Sequence, residues 1–98
     1  MASTKEYRDF ILEQLSEAPN ITCRPMMGEF LLYSDGILFG GIYDDRLLLK
    51  TVPETTKYQM PEELPYPGAK PMYLVEELDN KPLLTEIAIT TLTGLAKK

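Results

Sequence analysis

Phe30-Leu31-Leu32-Tyr33-Ser34-Asp35-Gly36-Ile37-Leu38-Phe39 is the stretch on which the fold turns. Two β-prone runs flank Asp35-Gly36, a dipeptide that tolerates the positive φ angles of a two-residue hairpin, so the strands are expected to be antiparallel and directly joined. Further along, Gly41-Ile42-Tyr43 and Arg46-Leu47-Leu48-Leu49-Lys50 flank a second tight connection at Asp44-Asp45. The region from Gly28 to Thr51 therefore predicts a three-stranded meander. Its middle strand carries hydrophobic residues on both faces, and each face needs a cover. Gly40-Gly41 weaken that strand and mark a bulge, or a place where another backbone or a helix packs close.

Before the meander, Ser3-Thr4-Lys5-Glu6 reads as a capping box, with the Ser3 hydroxyl and Glu6 satisfying each other's backbone donors at a helix start. Tyr7, Phe10, Ile11, Leu15 and Ala18 recur at helical spacing as the buried stripe. Glu6, Asp9, Glu13 and Glu17 form the opposite, acidic side, and Pro19-Asn20 ends the helix.

After the meander, Pro53 suits a first helical position, so a short helix runs from it until Pro61 stops it. Five of the eight prolines fall between Pro53 and Pro71. Pro61-Glu62-Glu63-Leu64-Pro65-Tyr66-Pro67-Gly68 is accordingly expected as a surface loop or an edge segment. Pro71 to Val75 reads as a returning strand. Beyond Asp79-Asn80, Leu84, Ile87, Ala88, Thr91, Leu92 and Leu95 keep helical spacing, predicting a closing helix of about four turns that ends near Gly94 or the two terminal lysines. Lys97 and Lys98 suit the negative end of its dipole. The order is α-β-β-β-α-β(β)-α: one α+β domain over residues 1–98, with an antiparallel sheet and helices.

Composition limits what such a domain does. Ninety-eight residues leave no room for a cofactor domain beside a substrate domain. Ten Lys and Arg against 15 Asp and Glu give a net charge of −5, a field that repels phosphate backbones, so no direct nucleic-acid binding is expected. With no histidine, the usual centre of triads, acid–base pairs and zinc sites is missing. The apolar stretch from Ile37 to Tyr43 is too short to span a bilayer. A single cysteine, Cys23, forms no internal bridge, and Met1-Ala2-Ser3-Thr4-Lys5 leads into polar helix residues without a signal-peptide core. A cytoplasmic location is the expectation.

The residues that carry chemistry point away from catalysis. Arg24 beside Cys23 lowers a thiol's pKa in principle, but no proton acceptor accompanies the pair, so Cys23 reads as a small semi-buried apolar residue. Asp44-Asp45 reads as turn-forming rather than cation-binding. Glu62-Glu63 and Glu76-Glu77 read as solvated charge. No glycine-rich phosphate loop precedes a helix. Neither a metal nor a cofactor is expected. What stands out is a set of Met and Tyr residues, types that give adaptable contact area. Met60, Tyr66, Met72 and Tyr73 are candidate interaction residues, joined on the last helix by Ile89, which with Leu83 falls off the buried stripe. Their expected partner is another protein or a second copy in a homodimer. The alternative is a small-molecule binder, or an enzyme using carboxylate, Tyr or Arg groups in a cleft.

Met26-Met27-Gly28-Glu29-Phe30-Leu31-Leu32-Tyr33, Asp35-Gly36, Phe39-Gly40-Gly41-Ile42-Tyr43-Asp44-Asp45-Arg46-Leu47, Leu49-Lys50 and Gly68-Ala69-Lys70-Pro71-Met72 resemble the N-terminal domain of the TfoX/Sxy competence-regulator family. The resemblance covers nearly the whole chain. Its most specific part is the meander with Tyr33, Gly36, Phe39, Asp45, Leu47 and Lys50 in register. It implies an α+β fold like that of secretion chaperones and YjbR-like proteins, and a role resembling that of transcriptional co-regulators of DNA uptake. Met27-Gly28-Glu29 departs from the phenylalanine and second glycine common in the family's first strand. The helical C-terminal domain of the full-length regulators is expected to be missing, because this chain stops after its closing helix. The resemblance supplies no catalytic residues.

Overall fold

In the computed structural model, which describes residues 3–97, Asp35 and Gly36 both take left-handed backbone, φ 51° and 81°. They join β2 (Glu29–Ser34) to β3 (Ile37–Ile42), with Ser34 paired to Ile37. The same device occurs twice more. Asp44 and Asp45, φ 53° and 54°, connect β3 to β4 (Leu47–Leu49); here Tyr43 and Arg46 exchange N–H···O bonds of 2.9 and 3.0 Å. Met27 and Gly28, φ 51° and 87°, connect β1 (Ile21–Met26) to β2, with Met26 paired to Glu29. Paired positive φ values match the right-handed twist of the strands they link, so the meander closes with no wasted chain.

The meander thus has four strands, one more than the sequence predicts. Pro25 interrupts β1, which favours an edge position, and β1 occupies one edge of a six-stranded antiparallel sheet ordered β1-β2-β3-β4-β6-β5. At the other edge, β5 (Glu62–Glu63) pairs with β6 (Met72–Leu74), and β6 returns beside β4 through Leu48–Leu74 and Leu49–Tyr73. The prolines around β5 leave it only two residues long. Between β2 and β3 the register slips: Leu32 faces Gly40 while Tyr33 faces Leu38, leaving Phe39 as the extra residue of a bulge. The bulge delivers the fully buried Phe39 to the core. Gly40 is required here, because a Cβ on it would stand 2.5 Å from the Leu48 carbonyl oxygen.

Among the described residues, three helices lie on one side of the sheet. In α1 (Lys5–Gln14), Thr4 rather than Ser3 is the N-cap, its hydroxyl accepting the Tyr7 N–H at 3.1 Å. Ser3 is drawn elsewhere, its hydroxyl donating to Glu29 Oε1 at 2.7 Å and accepting the Asp45 N–H at 3.0 Å. Regular helix ends at Gln14, and single turns carry Leu15 and Ala18 into the core ahead of Pro19. Phe10 is 38% exposed, off the buried side that Ile11 and Leu15 define. Pro53 opens a 3-10 helix, η1 (Pro53–Tyr58), which ends at Gln59 in left-handed backbone, before Pro61 is reached. The closing helix α2 (Lys81–Ala96) is capped by Asn80, which accepts the Leu83 N–H. It runs through Gly94 because η1 packs there: a Cβ on Gly94 would lie 2.7 Å from Val52 Cβ. Lys97 meets Glu54 at 3.2 Å at that end; the companion expectation for Lys98 lies outside the described residues.

The core is one cluster between helices and sheet. Ile11 and Leu15 from the first helical segment, and Leu84, Ile87 and Ala88 from α2, meet Phe30, Leu32, Phe39, Ile42, Leu47 and Leu49 from the strands. Leu83 is half-buried and packs against this cluster, so only Ile89, 43% exposed, projects from α2 in the way expected of both. No helix among the described residues is long and apolar enough to cross a membrane.

Candidate functional site

Strand alternation sends successive side chains to opposite faces. Phe30 and Leu32 enter the helix-side core, so Leu31 and Tyr33 stand on the other face with their cross-strand partners Arg24, Thr22 and Leu38. No helix among the described residues covers this second face. Leu31, Tyr33 and Leu38 are half-buried there. Leu48 and Tyr43 are buried yet lie outside the helix-side cluster, in keeping with a second apolar layer on this face.

What covers part of that layer is the proline-rich segment. Arg46 fastens it: its Nη1 lies 3.1 Å from Glu63 Oε1, its Nη2 donates to the Leu64 carbonyl at 3.4 Å, and its Nε donates to the Tyr43 carbonyl at 3.2 Å. Glu63 is therefore an ion-pair partner, not the solvated charge the sequence suggests. Beyond this clamp, Tyr66 leans over the sheet with its ring centroid 6.3 Å from that of Tyr43, the planes 54° apart. The result is a shallow cleft of about 280 Å³. Its floor is Leu38, Gly40 and Tyr43, with Met72 beside them; Pro65, Tyr66 and Ala69 form the overhang; Lys50 and Lys70 stand at the rim.

Cations border part of this face, Arg24 on β1 and Lys50 and Lys70 at the cleft rim, with the Glu29 carboxylate near the opposite end. The Arg24 guanidinium lies 6.0 Å from the Tyr33 ring centroid, a cation–π contact on the uncovered side. Burial pushes the Tyr43 phenol up, and the neighbouring Tyr66, Glu29 and Tyr33 push it further the same way. It stays protonated at neutral pH, a polar handle in an apolar floor.

The sequence-derived interaction residues do not form one patch. Tyr66 and Met72 share the cleft. Met60 lies in a separate groove of about 140 Å³ between Tyr58, Val75 and α2, where it also packs on the core. Tyr73 pairs with Leu49 and Glu62 and, by that register, stands on the helix side. Ile89 is on the outer surface of α2. The sequence reading missed Leu31, Tyr33, Leu38, Arg24, Lys50 and Lys70. For Leu31 and Tyr33 the signal is present: strict alternation in β2 puts two large side chains opposite the core.

Cys23 is half-buried on the helix side, where burial raises its pKa and Arg8, rather than the adjacent Arg24, partly offsets the rise. Consecutive strand residues diverge, so Arg24 cannot activate it. The Asp44-Asp45 pair serves the turn and the helix start: Asp45 Oδ1 accepts the Thr4 N–H at 2.9 Å. Among the described residues, no three of His, Cys, Asp and Glu gather closely enough to hold a metal ion.

Comparison with known proteins places this architecture. Residues 13–81 match the TfoX N-terminal domain, a span from the end of α1 to the start of α2 that includes the meander, the clamp and the cleft. A protein of Spirochaeta aurantia described as "Uncharacterized 12.7 kDa protein in trpE 5'region" is 30% identical over 80 residues, which is 80% of this chain and 70% of that relative.

Proposed function

The chain belongs to the TfoX N-terminal domain family, and from that premise we propose that it is a non-enzymatic protein-interaction domain acting in the cytoplasm, with a regulatory role like that of competence regulators. The observation that carries the reading is the sheet's second face. The helices of the described residues pack on one side, while Leu31, Tyr33 and Leu38 on the other remain partly exposed beside an aromatic overhang. A face of this kind keeps its shape, because the strands are fixed by the core behind it, and gains stability when a partner removes it from water.

Tyr7, Cys23, Tyr43 and Tyr58 are pushed upward, chiefly by burial. Each is thereby held neutral. None is tuned toward pH 7 as an acid–base catalyst would be.

Purifying the tagged chain from its own cells tests the reading when three baits are compared. A protein held at constant stoichiometry by the wild type and by Ile89→Glu, and lost from both Leu38→Glu and Tyr66→Ser, is the expected result. Retention by Leu38→Glu and Tyr66→Ser, with each shown folded by circular dichroism, would overturn it. Self-association is the second reading, favoured by exposed Ile89 in the middle of α2. Light scattering after size-exclusion chromatography then finds a dimer for the wild type and a monomer for Ile89→Glu; a wild-type monomer at high concentration removes it.

A further inference from the structure

The chain is acidic as a whole, with net charge −5, yet the uncovered sheet face is bordered by cations. Arg24 stands on β1 over Tyr33. Lys50 follows β4 and Lys70 ends the overhang, both at the rim of the cleft. The ion pairs among the described residues are Arg8–Asp9, Arg46–Glu63, Lys81–Glu13 and Lys97–Glu54, and none uses these three. At the cleft's far end Glu63 is paired with Arg46, while Glu29 accepts from the neutral Ser3 hydroxyl and Asp44 N–H and keeps its charge, so an acidic occupant is drawn toward the Arg24, Lys50 and Lys70 side.

Three cations around an apolar surface define what complements it. Two copies meeting face to face about a twofold axis would set the same positive rim against itself, which like-charge repulsion disfavours. A nucleic acid would meet the rim but also the negative field of the rest of the molecule, which opposes a polyanion at long range. A short acidic chain carries few enough charges to be attracted locally. Building on the docking reading above, we infer that this face binds an extended acidic segment of another protein, with one apolar side chain seated in the cleft between carboxylates that reach Arg24 and the Lys50–Lys70 rim.

The spacing follows from the sheet. β1 and β4 are three strands apart, about 14 Å at roughly 4.8 Å per strand, which an extended chain covers in about four residues at roughly 3.3 Å each. The apolar residue between the carboxylates then lies toward Leu38 on β3, at the edge of the cleft that Tyr66 overhangs. Aromatic and Met surfaces of this kind adapt to Leu, Phe or Met alike.

Selection of short random peptides displayed against the immobilised full chain tests the inference. The selected peptides are then measured by fluorescence anisotropy on the wild type, Lys50→Glu/Lys70→Glu, Leu38→Glu and Ile89→Glu. The expected peptides carry Asp or Glu on both sides of a Leu, Phe or Met. Their affinity falls by roughly tenfold or more in the lysine double variant and weakens with added salt, as rim electrostatics require, while Ile89→Glu is unchanged. Neutral or basic peptides lost only with Leu38→Glu would overturn the acidic specificity and leave the docking face standing. Peptides that bind all four proteins equally, or a failure to enrich any, would overturn both the specificity and the face. Lys50-dependent retention of an oligothymidylate probe in place of peptides would overturn the inference in favour of a nucleic acid.

Discussion

Tyr66 lies against Tyr43, ring centroids 6.3 Å apart, and this contact joins the proline-rich overhang to the sheet. Tyr43 is buried, whereas Tyr66 is 55% exposed. The pair therefore has one fixed member and one that holds a loop in place.

Replacing Tyr66 with Ala is expected to cost little stability, about 0.5–1.5 kcal/mol for the lost ring contact, while loosening residues 64–70. The turn bond from the Ala69 N–H to the Tyr66 carbonyl reports this directly. Hydrogen exchange at Ala69 should accelerate well beyond any change at the Lys50 amide, which bonds Phe39 inside the meander. Equal acceleration at both would mean that the ring supports the whole sheet.

Gly40→Ala tests the bulge. Its new Cβ would meet the Leu48 carbonyl oxygen at 2.5 Å and Leu49 Cδ2 at 2.7 Å, and backbone cannot step aside cheaply. A loss of roughly 1–3 kcal/mol or more is expected in urea unfolding. Gly36→Ala is the comparison: nothing lies within 4 Å of its Cβ position, so only the left-handed φ of 81° opposes it, at about 1–2 kcal/mol.

Asp44 and Asp45 adopt nearly the same φ, 53° and 54°, but only the Asp45 carboxylate accepts the Thr4 N–H. Asp44→Gly should be close to neutral, since relief of left-handed strain offsets the added chain entropy. Asp45→Gly should be less stable than Asp44→Gly by about 1 kcal/mol, the worth of a carboxylate bond at a helix start. The difference between the two urea midpoints measures that bond with the backbone effect cancelled.

Stability at high pH carries a signature of the buried phenols. Burial is the first cause raising Tyr7, Tyr43 and Tyr58 above the ordinary value of 10.0. A raised folded pKa means that the unfolded chain releases these protons first, so stability is fully present below pH 10 and is lost as pH climbs through the folded values. Tyr43→Phe keeps the ring and removes the ionising group. Its unfolding midpoint should match wild type at pH 8 and exceed it at pH 11; parallel decline of the two proteins would show that Tyr43 does not contribute.

How far the sequence told this story depends on distance along the chain. Asp35-Gly36 and Asp44-Asp45 were legible because a two-residue turn is decided by the two residues in it. Met27-Gly28 makes the same turn, but methionine has no preference for the φ of 51° it adopts, so nothing in that dipeptide announces the turn that joins β1 to β2. Phe10 fits helical spacing as well as Ile11 does, and only the placement of α1 on the sheet exposes it. Tyr66 and Met72 could be named as candidates by residue type. Arg24, Lys50 and Lys70 could not, since their common border exists only after β1, β4 and the overhang are brought to one sheet face.

The most direct measurement of that face is chemical-shift mapping on the nitrogen-15-labelled chain, with a selected acidic peptide added in steps. The largest changes are expected at Leu31, Tyr33, Leu38, Lys50 and residues 66–70, with α1 and α2 nearly still. Changes centred on Ile89 and the outer surface of α2, with the uncovered face silent, would contradict the account.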